Sequence, residues 1–203
     1  LNDDPLLKEE EDRFYKLLKR NLNNYDIIIV TDYGHGIITE KVRKLIANKS
    51  KKIFLNTQIN SFNRGYHTVY KYKKINTLVI NEGELRYETR DRNSSILILV
   101  KKLRKKIITD NVIVTKGNRG ALFVNCKNWS SISCPAFNQT SIDTIGAGDT
   151  FLALSAMCAG SKIDNRLTLL ISSLAASFST NQLGNISTFN YDILKKQINH
   201  ILK

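Results

Sequence analysis

Between residues 143 and 153 the chain reads DTIGAGDTFLA. Three small residues, Gly146, Ala147 and Gly148, stand between two aspartates, and an apolar run follows at once. Small residues where a turn enters a helix let backbone N–H groups approach a ligand, and the helix dipole favours an anion there. A carboxylate beside such a site, Asp149, repels a bound phosphate and so needs a purpose beyond binding. General-base work supplies one: Asp149 takes the proton of an alcohol as that oxygen attacks a phosphoryl group held by the backbone donors. The competing reading is that Asp149 only caps the helix that follows.

Such a site has to be carried by elements that bring strand ends to helix starts. YDIIIVTD (25–32) reads as a buried strand, TEKVRKLIANK (39–49) as an amphipathic helix with Thr39 at its N-cap, and KKIFLN (51–56) as a second strand. NTLVI (76–80) and NVIVT (111–115) continue the strands, with helices from about Glu82 and over 94–107 between them. This alternation predicts a three-layer α/β/α fold around a mostly parallel sheet. GNRGALFVN and WSSISC read as two neighbouring strands around a turn, and residues 147–203 as mostly helical. The polar stretch 57–71 fits no element, and His35, His67 and His200 read as surface histidines with no metal-ligand spacing.

Bulk properties narrow the function classes. The chain has 203 residues, 42% of them hydrophobic, enough for one packed domain. No apolar run is long enough to cross a bilayer and the start is acidic, so the expected location is cytoplasmic. Three cysteines, Cys126, Cys134 and Cys158, are an odd number without a close pair, which points to reduced thiols. The net charge of +13 would attract phosphorylated metabolites, membranes or nucleic acid alike. No reading motif accompanies that charge, so neither nucleic acid nor membrane is an expected partner.

The string DTIGAGDTF resembles the C-terminal signature of the ribokinase-like, or PfkB-type, carbohydrate kinase superfamily. INEGE (80–84) is similar to that family's NxxE segment, and VTKGNRGALFV (114–124) to its TxGxxG segment. SLAASFSTNQLGNIST (173–188) resembles the helix and turn beside the nucleotide base, ending at Gly184. The resemblance implies an ATP-dependent phosphotransferase acting on an alcohol of a sugar or sugar phosphate, with Asp149 as catalytic base and Gly146, Ala147 and Gly148 as anion hole. It places Asn81, Glu82, Gly83, Glu84, Thr115, Gly117, Gly120 and Gly184 at the nucleotide, with Asn81 and Glu84 holding Mg²⁺ through its water shell. Asp143 matches a residue that in several relatives helps form a monovalent-cation site; hydrogen bonding within its own loop is the alternative.

Plainer roles stay open for the other segments too. Asn81 and Glu84 have the spacing of a capping box, the glycines of KGNRG suit a hairpin turn, and LAAS suits close helix packing.

TDYGHGIITEKV (31–42) is most similar to the DYxKG stretch of the heptose-phosphate kinase branch, often found beside a fused or associated nucleotidyltransferase module. His35 stands where a lysine is usual, and Asn56-Thr57-Gln58 replaces an expected DPK. Nothing before Leu6 resembles the family's sugar-gripping glycine pair or its β lid, so residues 1–203 read as the C-terminal, nucleotide-binding portion of a ribokinase-like domain. Two expectations compete: a weakly active kinase piece, and a catalytically impaired nucleotide-binding domain of a bifunctional kinase/nucleotidyltransferase protein.

Overall fold

The central strands alternate their side chains between two apolar layers, and that alternation organises the molecule. The computed structural model describes residues 6–48, 52–59, 63–137, 146–181 and 189–201. In chain order the elements are α1 (Lys8–Asn21), β1 (Ile27–Asp32), α2 (Glu40–Ala47), β2 (Lys52–Thr57), β3 (Thr77–Asn81), α3 (Glu82–Thr89) and α4 (Ile96–Arg104). There follow β4 (Asn111–Thr115), β5 (Ala121–Asn125), β6 (Ser131–Cys134), α5 (Ala147–Gly160), α6 (Asn165–Thr180) and α7 (Tyr191–Ile201).

The strands form one six-stranded sheet whose spatial order is the order of the sequence, β1 to β6. Four of them, β1 to β4, run parallel, with Leu55 opposite Leu78 and Val79 opposite Ile113 in the register. β5 then turns back antiparallel to β4, as the turn signals around Gly117 and Gly120 predict, and β6 runs antiparallel to β5. Odd and even strand positions go to opposite faces. Leu55, Leu78, Ile80, Val112 and Val114 pack on one side against Val42 and Leu45 of α2, Leu85 of α3, and Leu99 and Leu103 of α4. Phe54, Val79, Ile113 and Phe123 pack on the other against Phe151, Leu152 and Ala156 of α5 and Leu169 of α6. This is the three-layer arrangement the sequence predicts.

Local chemistry sets the ends of the elements. The Thr39 hydroxyl accepts from the Val42 N–H at 3.3 Å and starts α2, and Asp164 caps α6 through Arg166 N at 2.7 Å. All three cysteines are buried and unpaired, and burial pushes the Cys126 thiol up to about 11.

His67 departs from the expectation of a surface histidine. The stretch after β2 folds over the end of β1, buries Asn63, His67 and Val69, and closes with a short 3₁₀ turn at Val69–Lys71. His67 is 4% exposed, and its Nε2 lies 3.0 Å from the carbonyl oxygen of Asp32. A carbonyl only accepts, so the ring is the Nε2–H tautomer. The buried hydrogen bond replaces the water that the ring gives up.

Two predictions follow from this packing. Desolvation holds the His67 imidazole below its ordinary value, against the pull of Asp32. The folded state therefore declines a proton that the unfolded chain accepts, and stability drops as pH falls through about 6.5. Urea midpoints measured from pH 7.5 to 5.5 should decline, and His67→Gln should flatten that decline.

The second prediction contrasts two glycines. Gly120 holds φ 83°, and a Cβ there would lie 2.0 Å from the Cys134 carbonyl oxygen on the neighbouring strand. At Gly160 an added Cβ would meet only the tip of the Ile27 side chain, at 2.4 Å. Gly120→Ala should cost about 3 kcal/mol or more, because a strained φ and a fixed backbone atom both oppose it. The Ile27 side chain can turn away and alanine favours the helix, so Gly160→Ala should stay within about 1 kcal/mol. Urea unfolding of the two variants checks both figures.

Candidate active site

Strands β1 to β4 are parallel, so their carboxyl ends share one edge, and the segments leaving them meet the start of α5 across a cleft of about 620 Å³. Asn81 ends β3 and caps α3: its Oδ1 accepts from Glu84 N at 2.8 Å, while Glu84 Oε2 accepts from Asn81 N at 3.2 Å. The capping box is thus real. Glu84 Oε1 also accepts from Ile59 N at 3.2 Å, which ties the segment after β2 to α3. Burial raises the Glu84 carboxyl, although these backbone donors pull it the other way.

Glu82 and Gly83 begin the same helix but do not line the cleft. The Glu82 carboxylate is taken by Arg86 Nη2 at 2.7 Å and Arg119 Nη2 at 2.6 Å, which clamps the β4–β5 turn against α3. Burial works upward on Glu82, yet the two guanidinium groups hold it below the usual carboxylate range.

Thr115, Gly117 and Gly120 line the cleft from the β4 side. Gly117 is left-handed at φ 58°, and a Cβ there would meet nothing within 4 Å. The glycines of KGNRG do both things considered for them, because they make the turn and face the cleft.

The start of α5 closes the opposite side. Gly146 is the N-cap, left-handed at φ 80°, and Thr150 N returns to its carbonyl at 2.9 Å. The N–H groups of Ala147, Gly148 and Asp149 precede that first helical bond and have no partner within the helix. A Cβ at Gly148 would stand in open space, so the room in front of this turn belongs to the cleft and not to protein packing.

Asp149 is the third residue of the helix and does not cap it. Its Oδ2 accepts from the Tyr33 hydroxyl at 2.5 Å, and its Oδ1 is buried with no hydrogen-bond partner among the described residues. Burial first, and the Asp149 carboxylate second, push the Tyr33 phenol up to about 12.

Ser173, Ala176, Ser177 and Thr180 of α6 complete the wall, with Phe137 after β6. One cleft therefore gathers Asn81, Glu84, Thr115, Gly117, Gly120, Gly146, Ala147, Gly148 and Asp149. Asp143 and Gly184 lie outside the described residues.

Tyr33 is the site residue that sequence reasoning passes over. It follows β1 directly, and Asn63 Nδ2 donates to its carbonyl at 2.8 Å. The neighbouring Asp32 accepts from Gly34 N at 3.0 Å and from the Tyr72 hydroxyl at 2.7 Å, under the His67 ring. Asn56 also reaches the cleft: its Nδ2 donates to the Val79 carbonyl at 2.9 Å and its buried Oδ1 has no partner among the described residues. Chain position alone could have flagged both, since each lies at or just beyond the carboxyl end of a parallel strand.

Comparison with known proteins agrees with this geometry. The bifunctional protein HldE of Aliarcobacter butzleri is 28% identical over 190 residues, which is 91% of this chain and 38% of that protein. The ribokinase of Thermotoga maritima shares the fold at a TM-score of 0.72 and 20% identity, over 91% of this chain and 61% of that one. Phosphofructokinase-2 of Escherichia coli, solved with potassium, does so at a TM-score of 0.75 and 16% identity, over 98% of this chain and 64% of that one. The chain spans less than two thirds of each of these relatives. A family model described as pfkB family carbohydrate kinase matches residues 8–189, and the chain belongs to that family.

Proposed function

We propose that the chain carries the nucleotide half of an ATP-dependent kinase that phosphorylates an alcohol of a sugar or sugar phosphate, with a heptose phosphate as acceptor class. The observation that carries this reading is Asp149, one oxygen of which has no partner among the described residues, set in the first turn of α5 beside N–H groups of a glycine-lined turn that have no partner within the helix. The donors would hold the moving phosphoryl group and Asp149 would take the alcohol's proton. The likeness of residues 31–42 to the heptose-phosphate branch, and of the whole chain to bifunctional HldE proteins, supports the acceptor class and a fused nucleotidyltransferase module.

A ribokinase-like protein of Escherichia coli that shares this fold was solved in complex with ATP and Mg²⁺, which supports both for this chain. Among the described residues no group of three His, Cys, Asp or Glu could hold a metal ion directly. Both Glu84 oxygens and the Asn81 side-chain oxygen already accept backbone N–H bonds, which leaves them lone pairs for water. Asn81 and Glu84 therefore fit an ion held through its water shell, and such an ion supplies charge neutralisation between the phosphates. Asp143, with backbone near Gly184, is the proposed monovalent-cation site, a reading supported by the potassium in phosphofructokinase-2.

A second reading is a nucleotide-binding domain with impaired catalysis. His35 and the Asn56-Thr57-Gln58 stretch favour it, since a histidine stands where the related motif carries a lysine, and neutral Asn56 and Gln58 stand where an aspartate and a lysine are expected. One experiment separates the two: calorimetry with MgATP beside ADP release over a panel of hexoses and heptose phosphates. Sugar-dependent ADP release supports the kinase, and binding without release supports the second reading. In the kinase, Asp149→Asn should lower kcat by about a thousandfold and leave the Kd for MgATP near wild type. Loss of nucleotide binding in a folded Asp149→Asn chain would move Asp149 from catalysis to binding.

A further inference from the structure

Tyr33 and Asp149 meet from opposite ends of the chain, 116 residues apart, and make one short hydrogen bond at 2.5 Å. The partners are unequal. A phenol is a far weaker acid than a carboxylic acid, so at neutral pH the proton stays on Tyr33 and Asp149 Oδ2 accepts it. With Oδ2 occupied, the lone pairs of Oδ1 are the ones left to receive a proton. A buried carboxylate oxygen without a donor costs free energy, and a hydroxyl seated against it would recover that cost.

Tyr33 is itself rooted more firmly than a residue after a strand needs to be. Asn63 Nδ2 donates both to the Tyr33 carbonyl at 2.8 Å and to the Gln58 carbonyl at 3.0 Å. Gly34 is left-handed at φ 77°, and a Cβ there would lie 2.6 Å from Asn63 Nδ2 and 2.9 Å from the His67 ring. Asp32, on the other side, is gripped by Gly34 N, Tyr72 and His67. The His35 ring lies alongside the phenol, ring centroids 6.3 Å apart. A hydrogen bond between two loosely held surface groups would need none of this scaffolding. A base that must meet its proton within a fraction of an ångström does.

We propose that Tyr33 is a positioning residue for phosphoryl transfer: its phenol pins Oδ2 of Asp149 and thereby makes Oδ1 the oxygen that takes the acceptor's proton. This rests on the phosphotransfer reading of Asp149. In the step, the acceptor O–H bond breaks and its proton passes to Oδ1. The acceptor oxygen bonds the γ-phosphorus, the bond from that phosphorus to the β-phosphate bridging oxygen breaks, and ADP leaves. Tyr33 neither gains nor loses a proton.

The test compares wild type, Tyr33→Phe and a chain carrying 3-fluorotyrosine at position 33, in ADP release with the acceptor that wild type uses and in calorimetry with MgATP. Fluorination also makes the phenol more acidic, and its titration can be followed by fluorine NMR. Tyr33→Phe should lower kcat about ten- to a hundredfold, the loss expected for one hydrogen bond to a charged group. Acceptor KM and the Kd for MgATP should hold while the urea midpoint falls, because Oδ2 loses its donor, and 3-fluorotyrosine should restore most of the rate. The fluorotyrosine should titrate at clearly lower pH once Asp149→Asn removes the neighbouring charge. A Tyr33→Phe chain as fast as wild type, or faster, overturns the positioning role, as does a titration indifferent to Asp149→Asn. Absence of ADP release from wild type with every acceptor is a different result: it overturns the phosphotransfer reading itself.

Discussion

Four parallel strands ending on one edge are the constraint from which the rest of this structure follows. A parallel strand delivers the chain to the same side of the sheet each time, so whatever comes next, a turn or a helix start, collects there. Asp32 and Tyr33 leave β1, Gln58 and Ile59 leave β2, Asn81 opens α3 and Thr115 leads into the glycine turn. The antiparallel pair β5 and β6 then returns the chain, and α5 enters the same edge from the other layer. Chemistry at this edge therefore joins residues from every part of the sequence.

The electrostatics of the edge are divided between two walls. On the α3 wall, Glu82 is spent on Arg86 and Arg119, while Glu84 is buried and turned toward backbone donors. On the α5 wall the free N–H groups and the dipole of a fourteen-residue helix present partial positive charge to the cleft. The Asp149 carboxylate sits within that field, in the first helical turn where a negative charge is favoured. This explains how a carboxylate can be kept beside an anion site at acceptable cost.

The layers were legible in the sequence because they rest on periodicity. The alternating burial of residues 27–32, the unbroken apolar runs within 77–81 and 111–115, and the Thr39 and Asn81 caps each depend on residues a few positions apart. The glycine turn before Asp149 was legible for the same reason. What links distant positions was not. Tyr33 reaches Asp149 and Tyr72 reaches Asp32 with no local pattern to announce them. His67 looked like a surface residue in a polar stretch, and it is buried because the Asp32 carbonyl at the end of β1, which already accepts from Gln58 N at 3.1 Å, offers its second lone pair to the ring. Hydrogen bonds made across a fold leave no spacing in the chain.

Sheet order that follows sequence order has a consequence for how the molecule is made. As the chain leaves the ribosome, each strand finds its neighbour already present, and α2, α3 and α4 cover one face as they emerge. Among the described residues the opposite face is covered by α5 and α6, which follow all six strands. The described residues that shield Phe54, Val79, Ile113 and Phe123 therefore arrive only after the sheet, and apolar side chains awaiting their cover are the surface by which nascent chains recruit chaperones or one another. One of the two helices that cover this face, α5, also carries Asp149, so the docking that begins to shield these side chains is the same event that brings the carboxylate to the cleft.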